Sequence, residues 1–95
     1  MRLDLFLKAS RLCLRRTQAQ ALCDAGAVSV GTTPARSARA IHAGDEITIR
    51  RGARTLTVRV LAVPATKQVA KAEAAALYEV LREEIAEEPD DWATN

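Results

Sequence analysis

At Gly26 the apolar residues change period, and that change decides what this chain can fold into. Before it, Leu3, Phe6, Leu7 and Ser10 fall at i, i+3, i+4 and i+7, one face of a helix over residues 2–9. Leu12 and Leu14 miss that face, so the chain breaks or bends over 10–16. A second helix follows from about Arg16 to Asp24, with Ala19, Leu22 and Cys23 as its stripe. Thr17 and Gln20 fit a capping box, with the cap itself left open to one or two residues earlier, and Gly26 is the stop signal. Beyond Gly26 the period is two. Val28 and Val30 alternate with Ala27 and Ser29, Gly31-Thr32 suits a tight turn, and Pro34 argues against a long strand. Ile47 and Ile49, then Leu56, Val58 and Val60, alternate around Arg51-Gly52-Ala53-Arg54, which reads as a hairpin loop. Two helices running into short alternating strands predict an α+β fold, with a small antiparallel sheet buried on one face.

The remainder reads as a connector at Pro64–Gln68 and a C-terminal helix over about 70–87. Ala74, Leu77, Tyr78, Leu81 and Ile85 make its apolar stripe, with Glu79, Arg82, Glu83 and Glu87 outside. The expected organisation is one folded unit over 1–63, a connector and packed helix over 64–88, and a disordered tail over 89–95.

Charge is divided along the chain. Residues 1–60 hold eleven Lys/Arg and four acids, a net +7; residues 61–95 hold three bases and eight acids, a net −5. Such a split signals a nucleic-acid face and an acidic end. Within the first sixteen positions stand Arg2, Lys8, Arg11, Arg15 and Arg16, and Arg36 and Arg39 follow in the loop after the first strand. Arginine's planar fork of donors matches phosphate oxygens, and the start of the second helix adds free N–H groups. Five phosphate contacts predict a log–log salt slope of roughly −3.5 to −4.5. The only aromatics are Phe6, Tyr78 and Trp92, too few for an aromatic base-stacking platform, so the core must be aliphatic.

Enzyme chemistry finds little to work with. His42 stands alone beside a turn, and Asp4 is spaced for a helix-surface ion pair with Lys8 or an interaction with the helix N-terminal dipole. There is no phosphate-cradling glycine loop and no metal-ligand spacing. Cys13 and Cys23 read as reduced, partly buried thiols. No cofactor is expected. No apolar run is long enough to span a membrane, and Asp4 and Lys8 interrupt any signal-like start, so a cytoplasmic protein is expected.

Arg2-Leu3-Asp4, Phe6-Leu7, Ser10-Arg11, Arg16, Ala19, Leu22, Gly26, Val28, Val30 and Gly44-Asp45 together resemble the S-four-type (alpha-L motif) RNA-binding domain. The resemblance covers about residues 2–50, and beyond it the chain is similar to the RqcP branch of that family and to its heat-shock ribosome-recycling relative. The segment Ala74–Glu79 is shared with the latter, whose end is usually basic rather than acidic. The resemblance implies binding to the large (50S) ribosomal subunit carrying peptidyl-tRNA, with contacts to 23S rRNA and tRNA. It also implies cooperation with an RqcH-type tailing factor in adding C-terminal alanine to stalled chains. The family's RNA contacts fall on Arg2 and Arg16, then on Lys8, Arg11 and Arg15. Departures are Gly31-Thr32 where Asn-Gly is common, Arg36 for a frequent Lys, and Arg15 for a frequent Ser or Thr. Two other readings remain: a general structured-RNA-binding module, and an RNA-targeting accessory to an rRNA- or tRNA-modifying enzyme. A monomer is the default.

Overall fold

The structure is a computed structural model that describes residues 1–65 and 69–85. Helix α1 (Leu3–Ala9) and helix α2 (Arg16–Asp24) open the fold. Strands β1 (Val28–Val30), β2 (Thr33–Pro34), β3 (Glu46–Arg51) and β4 (Arg54–Val60) follow. A short α3 (Lys71–Ala74) then runs through a 3-10 turn at Ala75–Leu77 into strand β5 (Tyr78–Ile85). The five strands form one antiparallel sheet in the order β2-β1-β3-β4-β5. The α+β class expected from the sequence is what forms.

The helical periodicity is realised as burial. Leu3, Phe6 and Leu7 of α1, Ser10 at its C-cap, and Ala19 and Cys23 of α2 are all buried. They pack on Val28, Val30, Ile47, Ile49, Val58 and Val60 from the inner face of the sheet. The alternation in β1, β3 and β4 puts these apolar residues on one side and Ser29, Thr48, Arg50 and Arg59 on the other. Gly31, with φ +64°, makes the first central position of the β1–β2 turn, a backbone region that glycine enters freely.

The loop from Ala35 to Asp45 is tied down at both ends. The Leu3 N–H donates to the Arg39 carbonyl (2.8 Å) and the Asp4 N–H to the Ser37 carbonyl (3.1 Å). Ile41, buried, donates its N–H to the Met1 carbonyl (2.9 Å). The first turn of α1 thereby spends its otherwise orphaned donors on the loop.

Three local expectations are corrected. The helix expected over 70–87 stops at Leu77, and Tyr78–Ile85 pairs along β4 as a strand. Without β5 the outer edge of β4 would present unpaired backbone groups, and an isolated helix of this length is marginal in water. Cross-strand charges assist the strand: Arg54 ion-pairs with Glu83, and Arg59 stands opposite Glu79. Leu81 and Ile85, assigned to a buried stripe, are 37% and 67% exposed. The capping box is also absent. The Arg15 N-cap has no side-chain cap, Gln20 reaches α1 instead, and Gln18 Oε1 accepts from the Leu14 N–H (3.2 Å). The third correction, to Asp4, belongs to the site. The expected disordered tail over 89–95 and the Thr66–Gln68 part of the connector lie outside the described residues.

Candidate nucleic-acid interface

Asp4, expected on the surface beside Lys8, has a side chain with no exposure at all. It is buried between α1 and α2 because α2 brings it partners. Arg16 Nε donates to Asp4 Oδ2 (3.0 Å) and Gln20 Nε2 donates to the same oxygen (3.0 Å). Arg2 Nε donates to Oδ1 (3.2 Å), and the Leu5 N–H donates to Oδ1 (2.9 Å). A buried carboxylate is tolerable when its lone pairs are met in this way. Burial pushes the Asp4 carboxyl up, but the Arg16 and Gln20 hydrogen bonds, the Arg2 charge and the Leu5 N–H outweigh it. The carboxyl is held below its ordinary value and stays ionised at neutral pH.

One carboxylate thus holds two arginines side by side. Arg2 and Arg16 remain 43% and 41% exposed, so each presents donors outward while Asp4 fixes its Nε. Their entropy of ordering is met before any ligand arrives, which is how a preorganised anion site differs from a set of loose surface arginines. The backbone bonds of Leu3 to Arg39 and Asp4 to Ser37 set the Arg36–Arg39 loop against the same end of α1, and both arginines there are exposed. Arg2, Arg16, Arg36 and Arg39 are therefore gathered at one end of the helix pair.

The other sequence-derived positions are distributed differently. Lys8 and Arg15 are exposed and make no side-chain hydrogen bond among the described residues. Arg15 is the N-cap of α2 and leaves the first-turn N–H groups without a side-chain cap. Arg11 turns away. Its Nη2 donates to the Val69 carbonyl (3.3 Å), and the guanidinium lines a cleft with Arg51 and Arg54 at the far end of α1.

Sequence reasoning missed Asp4 and Gln20 as the residues that position the arginines. No local signal marks them, because the partners of Asp4 come from positions 16 and 20. It also missed Arg51, whose Nη2 donates to the Leu12 carbonyl (2.9 Å) and the Cys13 sulfur (3.0 Å), pinning the bend after α1 to the β3–β4 hairpin. His42 is exposed, with its Nδ1 at 3.9 Å from Asp45 Oδ2. Among the described residues no cluster of His, Cys, Asp and Glu could hold a metal ion, and no helix is long and apolar enough to cross a membrane.

The S4 domain family model matches residues 1–47, which contain both helices, β1, β2 and the docked loop. The RQC P-site tRNA stabilizing factor of Halalkalibacterium halodurans is 45% identical, over 88% of this chain and 93% of that protein. The factors of the same name from Bacillus subtilis (43%, covering 88% and 95%) and Streptococcus pneumoniae (38%, covering 93% and 98%) are similar throughout. Among solved structures, trimeric heat shock protein 15 of Vibrio cholerae superposes with a TM-score of 0.76 at 26% identity, covering 84% of this chain and 80% of that one. The solution structure of the protein HP1423 gives 0.76 at 28% identity, covering 86% and 98%.

Proposed function

The chain belongs to the S4-domain family of RQC P-site tRNA stabilizing factors, and on that premise we propose that it binds the large ribosomal subunit when a peptidyl-tRNA remains there. In this reading Arg2 and Arg16 carry the principal phosphate contacts, and Lys8, Arg11, Arg15, Arg36 and Arg39 extend them over structured RNA. Residues 1–63 form the RNA-binding unit, working in the cytoplasm as a monomer. The RNA partners are 23S rRNA and the tRNA, and the process served is C-terminal alanine tailing of stalled chains with an RqcH-type factor. No catalytic step is assigned to this chain.

The observation that carries the reading is the buried Asp4 carboxylate holding two half-exposed guanidinium groups together. A fold that spends a buried charge on orienting surface arginines fixes a rigid donor pattern, and rigid pattern is what recognition of RNA by shape needs, since side chains cannot read the narrow A-form major groove. Relatives named for stabilising a P-site tRNA make tRNA the natural object of that pattern.

The test is co-sedimentation of the protein with 70S particles, free 50S subunits and 50S subunits carrying peptidyl-tRNA. Enrichment on the tRNA-bearing 50S, lost in Arg2→Ala and Arg16→Ala, is the expected result. Equal association with all three particles, or variants that sediment like wild type, would leave a general RNA-binding module.

A further inference from the structure

Past the last turn of α1 no helix among the described residues covers the inner face of the sheet. Ile49, Leu56 and Val80 floor this stretch and Tyr78 stands at one end, forming a cleft of about 340 Å³. The volume is within the range of sites that take a small organic ligand. Among the described residues, Arg11, Arg51 and Arg54 stand around it with a single acid, Glu83, which pairs with Arg54.

The cleft is built by a register shift. Between Thr57 and Val58 the β4–β5 ladder slips, so Glu83 lies opposite Leu56 while Val80 lies opposite Val58. Leu56 and Val58 share a face, so Glu83 and Val80 share it too; in an unbroken ladder residue 81 would take the place of Val80. The slip leaves the Val80 side chain 52% exposed on a face that is elsewhere core. Arg11 is brought to the cleft by a left-handed backbone, φ +62°, the only positive φ at a non-glycine residue among those described. Such a conformation is costly for a side-chain-bearing residue and is kept where the surroundings hold it.

Among the described lining residues three guanidinium groups stand against one carboxylate, an excess of positive charge, and planar forks of donors suit phosphate. An aliphatic floor with one aromatic ring suits a base, because every base has a π-face that stacks without regard to sequence. A bare phosphate would leave the floor unused, and an apolar peptide would leave the arginines unused. Resting on the RNA-binding reading above, we propose that this cleft is a second RNA-contact site that takes one unpaired nucleotide. Its phosphate lies on Arg51 and Arg54, and its base lies on Tyr78 and the aliphatic floor. One tyrosine serves one base, so the scarcity of aromatics in the chain is no obstacle. Arg11 stands two residues past the end of α1, and the helix from Asp4 to Ala9 rises about 8 Å, so one RNA can engage both arginine groups. Glu83 competes with the incoming phosphate for Arg54.

The experiment uses two RNA hairpins, identical except that one carries a single bulged 2-aminopurine nucleotide, titrated with the full chain and followed by anisotropy and 2-aminopurine emission. The bulged hairpin is expected to bind about fivefold tighter or more, with quenched emission, from the added stacking. Arg54→Ala and Tyr78→Leu should each remove that preference and leave affinity for the paired hairpin unchanged, Glu83→Gln should enlarge it, and Arg16→Ala should weaken both hairpins alike. Equal affinity of wild type for the two hairpins would overturn the proposal while leaving the RNA-binding reading intact. So would a preference that survives both cleft variants. Failure of both hairpins to bind would overturn the reading and the proposal together.

Discussion

Asp4 and Arg16 are twelve residues apart in sequence and 3.0 Å apart in space, the wholly buried oxygen of one accepting from the half-exposed Nε of the other. The pair does two jobs. It fastens α2 to α1, and it fixes the plane of a guanidinium whose remaining donors face solvent. Asp4→Asn keeps the shape of the side chain, removes the charge and turns one acceptor into a donor facing Arg16 or Arg2. A loss of about 1–3 kcal/mol in folding stability follows from leaving buried groups mismatched. RNA affinity falls as well, although Asp4 has no surface to touch RNA. Urea unfolding and RNA titration of the same variant check both. A variant of wild-type stability and affinity would show that the arginines need no support.

The same carboxyl sets an acid limit. Its folded-state value is below the ordinary 3.8, so the unfolded chain takes up its proton first as pH falls. The Asp4 contribution is fully present above about pH 5 and is lost as pH drops through 3.8 toward the folded-state value. The stability gap between wild type and Asp4→Asn is therefore expected to be constant from neutral down to about pH 5 and to narrow below it. Urea midpoints measured across that range check this, and a gap that widens on acidification would contradict the sign.

What the sequence discloses and what it conceals separate along a physical line. The limits of α2, the bend after Ser10 and the β3–β4 hairpin are all readable, because each is set by the period of neighbouring residues or by a local turn. The burial of Asp4 is not, because its partners arrive from positions 16 and 20 and no local pattern marks an acid for burial. Tyr78–Ile85 is misread for a related reason. Ala74, Leu77, Tyr78, Leu81 and Ile85 do carry a helical spacing, but the open edge of β4 outweighs a weak local preference. Among the arginines, type and number were legible while grouping was not: Arg2 and Arg16 meet through Asp4, whereas Arg11 joins Arg51 and Arg54.

Arg11 separates backbone from side chain in a way that substitutions can exploit. Its φ of +62° favours glycine, and its bond to the Val69 carbonyl is an exposed 3.3 Å contact of small worth. Arg11→Gly should therefore fold at least about 1 kcal/mol more stably than Arg11→Ala, which keeps the strained backbone without the guanidinium. RNA affinity should drop to the same extent in both, since both lose the same charge. Thermal melts and salt-dependent titrations of the two proteins test this. Alanine as stable as glycine would mean that residue 11 does not hold the left-handed conformation in solution.

Cys13 and Cys23 are buried free thiols, and their environments make them poor nucleophiles. Burial raises the Cys13 thiol more than the charge and hydrogen bond of Arg51 lower it. Burial, with the nearby charges of Asp4, Cys13 and Asp24, pushes the Cys23 thiol up to about 11. At pH 8 the Cys23 thiolate is then on the order of 0.1% of the total, against about a quarter for an unfolded cysteine. In native protein both thiols should react with a disulfide reagent far more slowly than in urea, and Cys23 should be the slower by the larger margin. Mass spectrometry of partly labelled protein assigns each site. Rapid native labelling at Cys23 would mean that the α2 face on which it packs opens readily, and would count against the tight seating of α2 that the Asp4–Arg16 pair provides.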